Sequence, residues 1–451
     1  MIRVRIVRES EARPLVVPVS SPRPGFAARP GEIGKVGGQW LVTLGLEAEE
    51  TGALVAARIG GETRVAVDMR GVPIAAAVAF ATGVCLRAWR YDGLHGGEAA
   101  PKLERLDLVT DQPGRLRRAW EPVEAMVDGV TFARNLVAEP SDTLTPSGFL
   151  ARLDALAEAG VTVDVLDRRA LRRQGMGGLL AVGAGSAHKP ALAVLRWRGS
   201  IAADPVVFVG KGITFDTGGL CIKPADGMED MRADMAGAAA CAGAMLTLAR
   251  RCSPAPAAAV LALAENATGA ASYRPSDVVR MGAGLWVEVV DTDAEGRMVL
   301  ADALDWAVRR LRPAAIVDLA TLTGSIVTAL GDVMAGLFGH DPAFAAYVAA
   351  AGAAVGEPVW RMPIGRSHRK DLESAIADLR HCVPGRGQPD ACHAAAFLRA
   401  FVPDTIPWAH LDIAGMAVRA KADDRYAAGP TGYGVRLLDR LVAQSFEDPH
   451  R

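Results

Sequence analysis

Two stretches of this 451-residue chain concentrate side chains that could hold divalent cations and drive hydrolysis. The first, GKGITFDTGGLCIKPADGMEDMRADMAGAAA, carries Lys211, Asp216, Lys223 and Asp234. The second, DTDAEGRMVLADAL, carries Asp291, Asp293, Glu295 and Arg297. Brought together, Asp216, Asp234, Asp293 and Glu295 would repel and raise one another's pKa. Divalent cations relieve that cost, and oxygen-rich ligation suits Mg²⁺, Mn²⁺ and, with water, Zn²⁺. Two such ions about 3.5–4 Å apart form a hydrolytic clamp.

The lysines fit the same chemistry. The chain has 50 basic residues, yet only seven are lysines, and two of them, Lys211 and Lys223, fall in the first stretch. Beside metal ions a lysine loses its proton more readily and its neutral amine can ligate, which an arginine cannot do. A second, still charged lysine could polarise a substrate carbonyl and stabilise an oxyanion. Taken singly, each acid reads as a helix cap or loop carboxylate, DTDAEGR as a polar turn, and each lysine as solvated. The grouping carries the functional reading. No Ser or Cys has a nucleophile-elbow setting, and the GKG after the first strand lacks the phosphate-binding GxxxxGK[ST] form.

Elements must bring these stretches together. From Val161 onward strand-like runs alternate with helix-like runs. The strand candidates are 161–166, 192–197, 206–209, 258–264, 287–290, 314–319 and 408–413, with helices over 231–251 and 298–311. That alternation predicts a largely parallel sheet flanked by helices, with ligands at the carboxyl ends of its strands. Both acidic stretches follow such strands. Gly218 and Gly219 permit a tight, φ > 0 path between Asp216 and Lys223, and Asp234 falls near the start of the next helix, where a carboxylate suits the dipole. The N-terminal part reads as a smaller α/β unit, with a strand at 64–68, a helix at 74–90 and a proline-rich loop at 13–30. The expected division is residues 1–120, a linker helix and loop over 121–145, and a catalytic domain over 146–451.

Composition narrows the classes. A net charge of −1 gives no footprint for nucleic acid. The start MIRVRIVRES alternates charged and apolar residues, unlike a secretory signal, and no apolar run approaches the ~20 residues of a membrane span. The six cysteines are scattered without CxxC spacing, which fits a reducing cytosol and neither a disulfide framework nor a thiolate zinc site.

KGITFDTGGLCIKP, MRADMAGAAA and DTDAEGRMVLADAL, followed by DLATLTGSIVTALG, GEPVWRMP, HAAAFLRAFV and WAHLDIAG, resemble the leucyl aminopeptidase (cytosol aminopeptidase) family, peptidase family M17, over roughly residues 130 to 440. The resemblance implies a macro-like N-terminal α/β domain, a larger α/β catalytic domain and a cytoplasmic homohexamer acting on peptides. It implies a tightly held metal on Lys211, Asp216, Asp234 and Glu295, and a more exchangeable one on Asp216, Asp293 and Glu295 with the Asp293 carbonyl. The metals would be Mn²⁺ or Zn²⁺, with Mg²⁺ a further candidate. Lys223 would face the scissile carbonyl. Arg297 would hold a bicarbonate that accepts the proton of the attacking water. The Leu322 carbonyl would orient the peptide, and Met231, Thr321, Gly324 and Ala414 would line the pocket for its first side chain. Competing readings are a dipeptidase, such as a Cys-Gly hydrolase, and a nucleic-acid-binding or chaperone-like protein. The chain departs from the family at Asp291, where Asn is usual, and at Ala417, where some members carry a bulkier pocket residue. It departs also in HCVPGRGQPDACH, whose His381, Cys382, Cys392 and His393 read as a packing variant of a loop, with a third metal site as the sharper alternative.

Overall fold

The computed structural model describes residues 2–44, 47–59, 61–93, 101–385, 387–423 and 426–448. The chain divides into two compact units, Met1–Thr131 with Arg419–Gly429, and Phe132–Val418 with Pro430–Arg451.

Among its described residues the first unit is built on six strands, β1 (Arg3–Val7), β2 (Leu15–Pro18), β3 (Ile33–Val36), β4 (Gln39–Val42), β5 (Arg64–Asp68) and β6 (Arg105–Val109), in the order β1-β6-β5-β2-β4-β3. Strand β2 lies inside the segment expected to be loop. Its proline stands at the strand end, where the missing N–H is tolerated, while Val16 and Val17 pair with β4. The helix Ile74–Ala88 forms as expected.

The second unit holds the chemistry. Its sheet comprises β7 (Thr162–Leu166), β8 (Ala191–Trp197), β9 (Val206–Asp216), β10 (Ala257–Asn266), β13 (Ala315–Ala320), β14 (Ala335–Gly339), β15 (Val359–Arg361) and β17 (Trp408–Asp412). The order is β15-β14-β17-β13-β9-β10-β8-β7. The four central strands β17, β13, β9 and β10 run parallel, so their carboxyl ends share one edge. A smaller sheet joins β11 (Val278–Arg280), β12 (Trp286–Glu288) and β16 (Leu379–Arg380).

Strand β9 shows why the core is arranged this way. Its first part, Val206 to Gly210, is a continuous apolar run, as strands covered on both faces are. A Cβ at Gly210 would lie 2.5 Å from Ala238, and one at Gly296 would lie 2.6 Å from Lys211 Cε. Successive strand residues face opposite sides, so the helix Ala236–Arg250 covers one face of β9 and the helix Glu295–Leu311 the other. The first is small-residue-rich and buried from Ala236 to Ala249. The second packs Met298, Leu300 and Leu304 into the main core with Val207, Val209 and Val260, each such side chain contributing about 1.5–3 kcal/mol on burial.

Three expectations need correction. β9 does not stop at residue 209 but continues to Asp216, so Lys211 lies within the strand. Its ammonium is paired, which lets a polar residue continue a buried run. The strand near residues 287–290 is Trp286–Glu288 and belongs to the small sheet, because a run of valines announces a strand but not its partners. The helix expected over 231–251 is a 3₁₀ turn, Met228–Ala233, followed by Ala236–Arg250, with Asp234 between them.

Candidate metal centre

Lys211 is the pivot. From the middle of β9 its Nζ lies 2.9 Å from Asp234 Oδ1 and 2.8 Å from Glu295 Oε1, and it donates to the Thr321 carbonyl at 2.9 Å. Asp234 is presented just before the helix Ala236–Arg250 and Glu295 as the first residue of the helix Glu295–Leu311, positions where each helix dipole offsets some of the cost of a buried carboxylate. Gly296 makes the approach possible, since a side chain there would meet Lys211 Nζ at 2.7 Å.

Asp216 ends β9. Its Oδ1 accepts from Gly218 N–H at 2.9 Å and from Asn266 Nδ2 at 2.7 Å, while its Oδ2 lies 2.9 Å from Lys223 Nζ. Lys223 also contacts Asp293. Gly218 and Gly219 have φ of +84° and +65°, the left-handed path the sequence suggested, and a Cβ at Gly218 would crowd Asp293 Oδ1 at 3.0 Å. One oxygen each from Asp216, Asp293 and Glu295 gather within 4.8 Å, a group able to hold an ion. Lys211, Asp216, Asp234 and Glu295 are buried, whereas the Asp293 side chain is 33% exposed.

Four carboxylates face two ammoniums, leaving two negative charges uncompensated. Burial, then Asp216 and Glu295, push the Asp293 carboxyl up to about 7. Burial, then the Asp216 charge, raise Glu295, and burial leads the same rise at Asp234. Burial alone would lower the Lys211 amine, but Asp234, Glu295 and Asp216 outweigh it and hold it above the ordinary lysine range. Lys223 is held up likewise, burial being outweighed by Asp216 and Glu295. The lowered lysine pKa expected from the sequence therefore requires cations. Two further oxygens, Asp234 Oδ2 and Glu295 Oε2, are buried without a hydrogen-bond partner. Excess negative charge and orphaned carboxylate oxygens fit divalent ions.

Of the residues expected at the pocket, Thr321 is drawn into this centre, its Oγ1 donating to Asp234 Oδ1 at 2.7 Å. Leu322 and Gly324 follow it at the carboxyl end of β13, Ala414 lies just past β17, and Met231 sits in the 3₁₀ turn before Asp234. Arg297 is buried. Its Nη1 donates to the His381 carbonyl at 3.1 Å and its Nη2 lies 2.8 and 3.0 Å from the two Asp390 oxygens.

Several supports escaped the sequence reading. Asn266 at the end of β10 also donates to the Thr292 carbonyl at 3.0 Å. Asp412 at the end of β17 accepts from Leu322 N–H at 3.1 Å and Thr323 Oγ1 at 2.7 Å. A polar residue closing an apolar strand was the available signal for both. Thr292 is buried between the two acids of its loop and donates to the Gly218 carbonyl at 2.7 Å, joining the two stretches. No local pattern announces that contact. His381 is buried, its Nε2 donating to the Asp291 carbonyl at 2.7 Å while its Nδ1 lies 3.3 Å from the Val290 N–H. His393 pairs with Asp371 at 3.1 Å, and Cys392 packs in a small apolar cluster. Among the described residues these histidines and cysteines form no ligand group; Arg386 of that segment lies outside the described residues.

Residues 131–439 match the model of the cytosol aminopeptidase family, catalytic domain. The chain is 42% identical over 429 residues to a "Probable cytosol aminopeptidase" of Methylobacterium radiotolerans, covering 91% of this chain and 85% of that one. It is 43% identical over 424 residues to a protein of the same name from Rhizobium johnstonii, covering 90% and 85%. Among solved structures it is similar to the bottromycin maturation enzyme BotP in complex with Mn, with a TM-score of 0.86, 35% identity and coverage of 95% of this chain and 99% of that one.

Proposed function

The chain belongs to the cytosol aminopeptidase family, and from that premise we propose that it releases N-terminal residues from peptides with the help of two divalent cations held by its acidic centre. It is a metallo-aminopeptidase, a hydrolase of peptides. Lys211, Asp216, Asp234 and Glu295 would hold the tighter cation, and Asp216, Asp293 and Glu295 the more exchangeable one. The burial of the first set and the openness of Asp293 support that division. When bound, the cations would supply carbonyl polarisation and a strong oxygen nucleophile at neutral pH.

The chain's own residues do the rest. Lys223 is drawn onto Asp216 and Asp293 by their charge; with that charge neutralised its ammonium is free to meet the developing oxyanion of the substrate. The Leu322 carbonyl orients the peptide backbone, and Met231, Thr321, Gly324 and Ala414 frame the first side chain. The small Ala417 favours broad, leucine-like selectivity. Residues 146–451 carry the chemistry, 1–120 form an accessory domain and 121–145 join them. Mn²⁺ or Zn²⁺ is the working metal, the manganese complex of BotP supporting the former. The family's bicarbonate would bind Arg297, whose Nη2 in this chain already faces Asp390. A homohexamer in the cytoplasm completes the reading; no described helix is long and apolar enough to cross a membrane.

The observation that carries the proposal is the excess of carboxylate charge gathered round the end of β9, most of it buried, with two orphaned oxygens. Its test is hydrolysis of a panel of aminoacyl arylamides, dipeptides and longer peptides during metal titration. Chelation should silence the protein, and Mn²⁺ or Zn²⁺ should restore it. Asp293→Ala and Glu295→Ala should fold yet be inactive, and near-normal turnover in either would refute the site. Cleavage of dipeptides alone would replace the broad reading with a dipeptidase.

A further inference from the structure

The large sheet has a second edge, opposite the metal centre. There the amino ends of β7, β9 and β10 meet the end of the antiparallel β8 and the last turn of the helix Glu295–Leu311, around a cavity of about 700 Å³. That volume is in the range of small-molecule sites. The 11 residues of β9 separate it from Asp216, so it lies roughly 30 Å from the acidic centre. Among the described residues its charged lining is Arg196, Arg198, Arg310 and Arg312, with no carboxylate. Arginines suit the carboxyl end of a helix, which accounts for Arg310 and Arg312. Arg196 and Arg198 come from β8 and the loop after it. Asp164 pairs with Arg196, and Asp204 lies 3.7 Å from Arg312. Arg310 meets the neutral Gln174 at 3.1 Å, and among the described residues neither it nor Arg198 has an acidic partner. Two guanidinium charges at the cavity wall are therefore unmatched.

The wall is held in place. Gly199 has φ of +62°, a Cβ there would lie 2.4 Å from the Pro254 carbonyl oxygen, and the N–H groups of Ser200 and Ile201 donate to that oxygen at 2.8 and 2.9 Å. Trp197 Nε1 donates to the Ser253 carbonyl at 2.9 Å, which fixes its indole beside Arg198 in the chain. Arg312 has φ of +47°, where helices usually end on glycine. Such outliers gather at binding sites. Trp197, Ile201 and Leu311 give the cavity an apolar side.

We propose that this cavity binds a nucleoside phosphate, with Arg198 and Arg310 holding the phosphate and Trp197 packing against the base. A phosphate monoester carries close to two negative charges and three acceptor oxygens, which matches two unpaired guanidinium forks. An indole offers a flat base a stacking surface. The ligand is not the peptide substrate, because the cavity and the acidic centre stand at opposite ends of β9. The site is independent of the aminopeptidase reading and goes beyond it.

Calorimetric titration of the full-length, metal-loaded protein with AMP, adenosine and inorganic phosphate separates the parts of the site. One AMP should bind per chain, about tenfold or more tighter than adenosine or phosphate. Arg198 and Arg310 are exposed, so Arg198→Gln and Arg310→Gln should keep the fold and peptidase turnover. Each should weaken AMP about tenfold or more. Arg169→Gln, at an exposed arginine outside the cavity, should leave AMP affinity as it is. Trp197→Leu should weaken AMP and not phosphate; if that variant fails to fold, the arginine pair decides. AMP affinity unchanged in both arginine variants would put the anion elsewhere, at the metal ions first, and would overturn the site. So would the absence of binding at about 1 mM AMP, or inorganic phosphate bound as tightly as AMP.

Discussion

At Asp293 a proton and a metal ion compete for the same oxygens. Burial and the neighbouring Asp216 and Glu295 push its carboxyl up to about 7, from an ordinary 3.8, in the cation-free chain. A group raised in this way stabilises the fold below its unfolded pKa and loses that contribution as pH rises through its folded value. Between about 4 and 7 the empty centre therefore becomes a growing liability, and a cation that replaces the proton removes it. Asp302 titrates upward too, to about 7, but buried among backbone N–H groups away from the ligands, so it contributes equally with and without metal. The gain in melting temperature on adding Mn²⁺ should widen from about pH 5 to about pH 7 and level off above it in thermal unfolding runs. A gain that is constant or shrinks over this range would contradict ligation by these carboxylates. Gly296 is as demanding as the acids. A methyl there would lie 2.6 Å from Lys211 Cε and 2.7 Å from Nζ, displacing the amine from Asp234 and Glu295. Gly296→Ala should cost about 1–3 kcal/mol, as overpacking does, yet abolish stoichiometric metal binding. Retention of full metal content by elemental analysis would show that Lys211 does not need that space.

The elements explain what the sequence could disclose and what it could not. Strands β9 and β10 were legible because parallel strands buried on both faces are written as unbroken apolar runs, and the helix Glu295–Leu311 because Leu300, Leu304 and Leu311 recur at its period. The acids that follow those runs were legible for the same reason. What stayed hidden is pairing at long range. The loop bearing Asp291 and Asp293 is carried by the small sheet, where β12 pairs in parallel with β16 over only two residue pairs. So short a ladder needs help, and His381, immediately after β16, supplies it by reaching the Asp291 carbonyl and the Val290 N–H. Burial, reinforced by Arg297, lowers the ring to about 4, so it is a neutral clamp with Nε2 protonated throughout the working range. Partners that orient metal ligands typically matter 10–100-fold. His381→Ala should weaken binding of the more exchangeable cation by about that factor while the tighter one stays bound. Equal loss of both ions in a metal titration, or no loss, would show that the clamp does not serve the Asp293 loop in particular.

At the scale of the molecule, the catalytic unit leaves large apolar side chains in the open. Ile222, Val333, Tyr347, Trp360 and Ile376 are each more than half exposed. Single exposed apolar residues are ordinary, but any that share one face are surface that association would remove from water. None is among the residues assigned to the metals, though Ile222 adjoins Lys223 in the chain. A homohexamer of 47.2 kDa chains has a mass of about 280 kDa, and light scattering on the purified protein should find it. If association buries these side chains, Trp360→Asp should shift the mass downward while leaving the metal content per chain intact, since Trp360 lies on edge strand β15, away from β9 and β13. A wild type that scatters as a monomer of about 47 kDa and hydrolyses aminoacyl arylamides at full rate would remove the hexamer from the description without touching the chemistry, because every assigned ligand comes from one chain.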